Sequence, residues 1–329
     1  MLNYADTDIY HQIMYRICYI MSNTDTTLIQ ESILSRINEK IQILNSKRPL
    51  PADAVRKLNE EIRLFHTYHS NAIEGNTLTL QETKLILEEG ITIGGKSLKE
   101  HLEATNNAKA FDLLEDMANS NKKIDHIVIQ KIHEIVTAGI LERAGKYRTK
   151  NVRITGAIKT PPDWSKVIGL LDELINKINQ SNMHPIETVA FFHHKFVEIH
   201  PFIDGNGRVA RLLTNLYLIT KGYPVIVLKT EDRRKYYKFL KSADKGDLSL
   251  FVNFIAKAVD ESITMYLSIF DGIDELLPLK ELAKDTTYSQ EYLSLRARQG
   301  FLDAVKMGRV WYSSKRALTE YGSQYGNKD

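Results

Sequence analysis

The residues best equipped for chemistry lie in one run, His200-Pro201-Phe202-Ile203-Asp204-Gly205-Asn206-Gly207-Arg208-Val209-Ala210-Arg211. Gly205, Asn206 and Gly207 let the backbone approach an anion closely. A helix beginning near Arg208 turns its unpaired N–H groups and the positive end of its dipole to the same point, which makes a phosphate cradle. Arg208 and Arg211, three apart on the first turn, share a face and offer charge-assisted hydrogen bonds to further phosphate oxygens. Asp204 is a lone carboxylate beside that site, suited to a Mg²⁺ ion that keeps most of its waters. His200 is the remaining neutral-pH base, an imidazole able to take the proton of an incoming hydroxyl as it attacks phosphorus. Phe202 reads as a core anchor for the loop. A metal site built from His193, His194 and His200 is the weaker reading, because adjacent histidines face different sides of a helix and no Cys or Glu-rich set accompanies them.

Helices must hold this run in place. Apolar residues recur three and four apart through most of the chain, which predicts an all-α protein. Ile29, Ile33, Ile37, Ile41 and Leu44 form one stripe, ended by Pro49 and Pro51. A second helix is expected from about Ala52 to Ile73, stopping at Gly75. Further helices are expected at Leu80 to Glu88, Leu98 to Asn119, Asp125 to Thr137, Trp164 to Ile178, Pro185 to Ile199, Val209 to Lys221 and Arg233 to Phe270. Between Gly145 and Pro162 the pattern changes. Val152 and Ile154 alternate, Gly156 turns and Pro161-Pro162 stops, the reading of a short β-hairpin or flap. Gly272 to Pro278 reads as a linker. The expected organisation is an N-terminal helical region over 1–100, a core over 101–265 and a small domain over 275–329.

Composition bounds the function classes. The chain has 329 residues, 43% hydrophobic and 26% charged, the make-up of a folded protein rather than a disordered or fibrous one. Lys and Arg number 44 against 41 Asp and Glu, and the net charge of +3 is too small to argue for nucleic acid or anionic membrane from the whole-chain balance. The single cysteine, Cys18, cannot form an internal disulfide and sits among Met, Tyr and Ile at helix-like spacing, so it reads as a buried structural thiol. The N-terminal stretch alternates apolar groups with Asp6, Asp8, His11 and Arg16, unlike a signal peptide. No stretch reaches the roughly 18 apolar residues that span a bilayer. The expectation is a cytoplasmic protein with no membrane partner.

The run from His200 to Arg211 resembles the signature loop of Fic-domain proteins, His-x-Phe-x-Asp/Glu-Gly-Asn-Gly-Arg-x-x-Arg, and matches every specified position. The resemblance extends over about Asp53 to Ala258. It implies a Fic helical core and transfer of AMP from ATP, with Mg²⁺, to a Tyr, Ser or Thr hydroxyl of a protein, the chain itself included. In that reading His200 is the base and Asp204 holds Mg²⁺ between the α- and β-phosphates. Gly205, Asn206 and Gly207 then form the anion hole, and Arg208 and Arg211 bind the β- and γ-phosphates. Family members that transfer other groups usually depart from this loop, and this chain does not. The stretch around 150–160 falls where Fic proteins place a hairpin that aligns the target by strand addition, with Ile154, Thr155 and Gly156 lining the groove. Arg234-Lys235-Tyr236-Tyr237-Lys238-Phe239-Leu240 resembles the family segment whose first tyrosine, here Tyr236, lies over the adenine. Some relatives have Asn where this chain has Asp244.

Ser70-Asn71-Ala72-Ile73-Glu74-Gly75-Asn76 resembles the inhibitory motif Ser/Thr-x-x-x-Glu-Gly/Asn of Fic proteins whose inhibitory helix precedes the core. Ser70 and Glu74 are one turn apart and share a face, and Gly75 leaves Glu74 near the helix tip. By the resemblance, Glu74 pairs with Arg211 and denies the γ-phosphate its clamp, so that ATP binds weakly or in the wrong pose. The resemblance also permits Glu74 to align a water for removal of AMP from a modified protein.

Near the C-terminus, Leu279, Leu282 and Ala283, then Ser289 to Arg298, then Gly300-Phe301-Leu302 and Gly308-Arg309-Val310-Trp311-Tyr312 read helix, helix, short hairpin. The pattern resembles a small winged helix-turn-helix. Arg296, Arg298, Lys306, Arg309, Lys315 and Arg316 stand there against Asp303 alone, the footprint of a nucleic-acid contact, and docking of protein targets is the other use of such a module. Two function classes follow: an autoinhibited, ATP-using protein adenylyltransferase, and a DNA-binding regulator whose Fic core senses nucleotide or protein partners. Expected partners are ATP, a protein substrate and, through the C-terminal module, DNA. Homodimer formation is compatible with either class.

Overall fold

In the computed structural model the described residues are 27–48, 50–120, 122–154, 159–269, 275–307 and 310–325. Cys18, Thr155, Gly156 and Arg309 lie outside them. The chain runs through α1 (Glu31–Ser46), α2 (Ala52–Ile73), α3 (Leu80–Glu89), α4 (Leu98–Asn119), α5 (His126–Val136), α6 (Val167–Asn179), α7 (Pro185–Ile199), α8 (Asn206–Thr220), α9 (Arg233–Asp244) and α10 (Ser249–Leu267). Local chemistry explains several of the ends. Thr79 and Ser97 each accept a backbone N–H three residues on while Glu82 and Glu100 reach back, so α3 and α4 open on capping boxes. Asp125 caps α5, and Pro185 opens α7 where there is no helical N–H to lose.

The described residues form two compact units, one comprising those up to Leu34 with Glu61–Ala258, the other Ser35–Glu60 with Val259 onward. The first is centred on α7 and α8, which are buried around nearly their whole circumference. Val189, Phe192, Phe196, Val209, Leu212, Leu213 and Leu216 are fully buried, and each such side chain contributes about 1.5–3 kcal/mol of transfer free energy. The adjacent histidines of α7 are absorbed on different sides. His193 bonds Thr214 and the Tyr236 hydroxyl at 2.9 Å each, and His194 Nε2 lies 2.9 Å from Asp244 Oδ1.

One expectation is corrected. The apolar spacing runs unbroken from Arg233 towards Phe270, yet the helix stops at Asp244 and restarts at Ser249. Gly246 turns at φ +96° and Asp247 accepts from both the N–H and hydroxyl of Ser249, which nucleates α10 afresh. Of the hairpin expected between Gly145 and Pro162, Thr155 and Gly156 lie outside the described residues, and the residues described on either side carry no strand pairing. Carbonyls on both stems of that segment are taken by the Arg148 guanidinium.

The second unit contains β1 (Leu277–Pro278), α11 (Leu279–Leu282), α12 (Gln290–Gln299), β2 (Val305–Met307), β3 (Val310–Ser313) and α13 (Lys315–Tyr325). Its antiparallel sheet has the order β1-β3-β2, with Val305 opposite Tyr312 and Met307 opposite Val310. Leu279, Leu282, Leu293, Ala297, Leu302 and Tyr321 form its core. Lys40, 2% exposed, is held at 2.6 Å by Asp260 and 2.7 Å by Asp303, and Arg36 shares Asp260. Among the described residues no helix is long and apolar enough to cross a membrane.

Candidate active site

His200 ends α7 in the left-handed region, at φ 52° and ψ 60°, the only described residue besides glycine with a positive φ. Such a backbone costs roughly 1–3 kcal/mol and persists only where the surroundings over-determine it. The ring Nδ1 lies 3.2 Å from the Val197 carbonyl, which only accepts, so Nδ1 carries the proton and Nε2 presents a lone pair. Burial pushes the imidazole below its ordinary pKa, and the Arg148 cation acts the same way. At neutral pH His200 is a neutral base.

The loop that follows is braced from inside. Phe202 is fully buried and stacks on His133 with ring centroids 3.6 Å apart. His133 accepts the Gly145 N–H at Nδ1 and donates from Nε2 to the Asp204 carbonyl at 3.1 Å. The buried Asn206 amide clasps Phe202 at its N–H and its carbonyl, 2.9 Å each. Its side chain therefore faces the core, and the backbone N–H groups of Asn206 and Gly207 at the start of α8 are left for an anion. Gly205 sits at φ +81°, a conformation that favours glycine, and α8 begins at the next residue, three earlier than the spacing alone indicates.

The charges converge on the start of α8. Arg208, 1% exposed, places Nη2 3.3 Å from Asp204 Oδ1 and Nη1 3.0 Å from Glu103 Oε1, the latter an ion pair off the line of a hydrogen bond. Asp204 also accepts the Gly205 N–H at 2.6 Å and lies 3.5 Å from Lys99 Nζ. Burial raises its carboxyl, but Arg208, that N–H and Lys99 outweigh it and hold the group below the usual range. Arg211, 3% exposed, donates from Nε to Ser70 Oγ at 2.9 Å and from Nη2 to the Ser70 carbonyl at 2.7 Å and to Glu74 Oε1 at 2.8 Å. Burial disfavours its charge and Glu74 more than restores it.

These residues fit a polyphosphate. Arg208 Nε and Arg211 Nη1 are buried donors with no hydrogen-bond partner among the described residues. A Cβ at Gly207 would overlap the Glu74 carboxylate, so an anionic oxygen already lies in the space this glycine leaves beside Arg211. Asp204, a hard carboxylate beside this anion seat, fits a Mg²⁺ ion completed by phosphate oxygens and water.

The structure thus brings together His200, Asp204, Gly205, Asn206, Gly207, Arg208 and Arg211 with Ser70 and Glu74. Tyr236 lies behind Arg211, 2% exposed, its ring centroid 5.9 Å from the guanidinium carbon and its hydroxyl on His193. Arg233 and Tyr237 bond the Ile73 carbonyl and so clasp the end of α2. Ile154 is half-buried. The residues sequence reasoning missed are Arg148, His133, Glu103 and Lys99. Each reaches the site from far along the chain, and no local spacing marks it.

Residues 123–218 match the model of the Fic/DOC family. The protein adenylyltransferase Fic of Drosophila persimilis is 35% identical over 259 residues, 73% of this chain and 49% of that protein. The chain spans about half the length of the curated relatives it matches. A Fic-domain-containing signalling protein from Bacteroides thetaiotaomicron superposes with a TM-score of 0.67 at 27% identity, over 71% of this chain and 97% of that one. Fic-1 from C. elegans superposes with a TM-score of 0.65 at 34% identity, over 72% of this chain and 71% of the solved one. With the loop complete and a solved Fic protein covered to that extent at that identity, the chain belongs to the Fic/DOC family.

Proposed function

We propose that the chain is a protein adenylyltransferase restrained by Glu74. The oxygen of a target Tyr, Ser or Thr hydroxyl forms a bond to the α-phosphorus of ATP, the bond from that phosphorus to the bridging oxygen breaks, and diphosphate leaves. His200 Nε2 takes the hydroxyl proton. Backbone N–H groups of Asn206 and Gly207, with Arg208 and Arg211, bind the phosphates. Asp204 would hold a Mg²⁺ ion, which when bound would supply charge neutralisation for the leaving diphosphate. The α2 helix acts as the inhibitory helix, with Ser70 and Glu74 occupying Arg211 in place of the γ-phosphate. In this reading Ile154, Thr155 and Gly156 line a flap that seats the target, and Tyr236 borders the adenine.

The observation that carries this reading is a single loop joining the lone pair on His200 to an anion seat over Gly207 flanked by two buried arginines. Label transfer from ATP tests it, with label at the α-phosphate and a γ-labelled control. Incorporation of the α label alone, raised by Glu74→Gly and abolished by His200→Ala, is expected. Failure of Glu74→Gly to incorporate the α label, with self-modification and a cell extract both tried, overturns it.

A second reading attaches to the C-terminal module. The succession of α11, α12 and the β2–β3 hairpin supports a winged helix-turn-helix, and Arg298, Lys306 and Lys315 are exposed on it. Under this reading the chain is a DNA-binding regulator. Binding of duplex DNA by the full chain that weakens steeply with salt supports it, and salt-insensitive or absent binding removes it.

A further inference from the structure

We propose that Arg148 is a positioning residue that fixes His200 and couples it to both stems of the segment 150–162. The inference rests on the reading of His200 as the base. Arg148 is 3% exposed, and the hydrogen bonds of its guanidinium go to backbone carbonyls. Nε donates to the His200 carbonyl at 2.9 Å, Nη1 to Lys150 at 3.0 Å, and Nη2 to Pro162 at 2.5 Å and to Ile199 at 3.4 Å. Its own N–H donates to the Pro201 carbonyl at 2.9 Å. A helix C-terminus leaves carbonyls without partners and carries the negative end of the dipole, so the end of α7, together with the Asp163 carboxylate, supports a guanidinium whose charge burial disfavours.

Two consequences follow from that geometry. Rotating His200 out of its left-handed conformation would swing its carbonyl off Nε, so Arg148 stabilises the one strained backbone that aims the imidazole. The terminal nitrogens hold Lys150 and Pro162, the two sides of the segment that the proposed function assigns to target binding. A displacement of either stem is therefore felt by the group that holds the base. Other contacts keep the stems close: Asn151 bonds Asp163 at 2.9 Å, and Lys159 bonds Glu198, two residues before His200, at 2.8 Å.

The test uses the full chain carrying Glu74→Gly, with Arg148→Met and Arg148→Lys added singly. Arg148→Met is expected to lower the AMP transfer rate by about 100-fold or more, the range lost with a general base, while ATP affinity by calorimetry stays within about threefold. Arg148→Lys, which keeps the charge and some of the donors, is expected to recover part of the rate. A second readout is independent of turnover: the imidazole NMR signals of His200, identified by their loss in His200→Gln, shift in both Arg148 variants, and their titration moves up once the nearby cation is removed in Arg148→Met. An Arg148→Met chain that melts like its parent and transfers AMP at the parent's rate overturns the proposal. So does loss of rate, ATP affinity and melting temperature together with His200 signals unmoved. If Arg148→Met does not fold, Arg148→Lys carries the same two readouts. If the Glu74→Gly parent transfers no AMP, the function reading fails, and unmoved His200 signals then decide against Arg148 as well.

Discussion

Glu74 Oε1 lies 2.8 Å from Arg211 Nη2, in the space that Gly207 leaves open beside that same guanidinium. The arginine side chain is 2% exposed and the glutamate 33%. A buried cation stripped of its partner is costly, so release of Glu74 needs another anion to take its place. In the proposed function the restraint is therefore an exchange of anions at one seat, its strength the difference between the two bound states.

Glu74→Gly is expected to raise ATP affinity about tenfold or more, which corresponds to about 1.4 kcal/mol. Ser70→Ala removes only the acceptor at Arg211 Nε and leaves the Ser70 carbonyl in place, so a gain of about two- to threefold is expected. Calorimetric titration with Mg-ATP checks both. Equal affinity in native and Glu74→Gly chains would contradict competition for Arg211.

Gly207 tests the seat itself. It lies in the first turn of α8, where alanine is favoured over glycine by about 1 kcal/mol, so Gly207→Ala in a Glu74→Gly chain should hold or raise the melting temperature. Its methyl group stands where the anionic oxygen would sit, 3.2 Å from Arg211 Nη1. ATP affinity is expected to fall at least about tenfold against the Glu74→Gly parent. Unchanged affinity would move the phosphate away from this glycine.

Stability should fall with acid, through the buried histidines. Burial holds His66 down to about 3, His69 and His133 to about 4, and His193 well below its ordinary value. They are neutral when folded and titrate near 6.5 when unfolded, so the unfolded chain binds more protons below that pH. The stability is present above about pH 6.5 and is lost as pH falls, at up to about 1.4 kcal/mol per pH unit for each histidine. For His69 and His133 the loss continues to about pH 4, and for His66 to about pH 3. Urea midpoints at pH 7.5, 6 and 5 check the slope, and a flat series contradicts it.

Lys40 stands between two carboxylates in the second unit, and Asp260 and Asp303 outweigh the burial that disfavours its charge. Lys40→Met leaves Asp303 without that cation and Asp260 with Arg36. The expected loss is about 3–5 kcal/mol by urea denaturation, and adding Asp303→Asn should return part of it. A loss below 1 kcal/mol would contradict a paired, desolvated cluster.

The site was legible in the sequence where its members are neighbours in the chain. His200, Asp204, Arg208 and Arg211 follow a loop-then-helix order that needs no tertiary information, and Ser70 and Glu74 share a face through helical spacing alone. The bracing was not legible. Arg148 is 52 residues from the His200 carbonyl it bonds, and His133 is 71 residues from Asp204. Only packing of α5 and of the segment after it brings these groups to the loop. The break after Asp244 was hidden because apolar spacing continues across it, although Gly246 and Asp247 supply a stop and a cap. α13 was also missed, its stripe consisting of little more than Ala317, Leu318 and Tyr321.

The proposed function has AMP passing from ATP to a protein hydroxyl, with His200 as base, once Glu74 no longer occupies Arg211. Intact-mass spectrometry of the Glu74→Gly chain incubated with Mg-ATP, alone and with a cell extract, tests this most directly. Protein species heavier by one AMP are expected, on the chain itself or on an extract protein, scarce with the native chain and missing from Glu74→Gly with His200→Ala. Species heavier by a phosphate instead, or the same AMP adducts with His200 replaced, would contradict it.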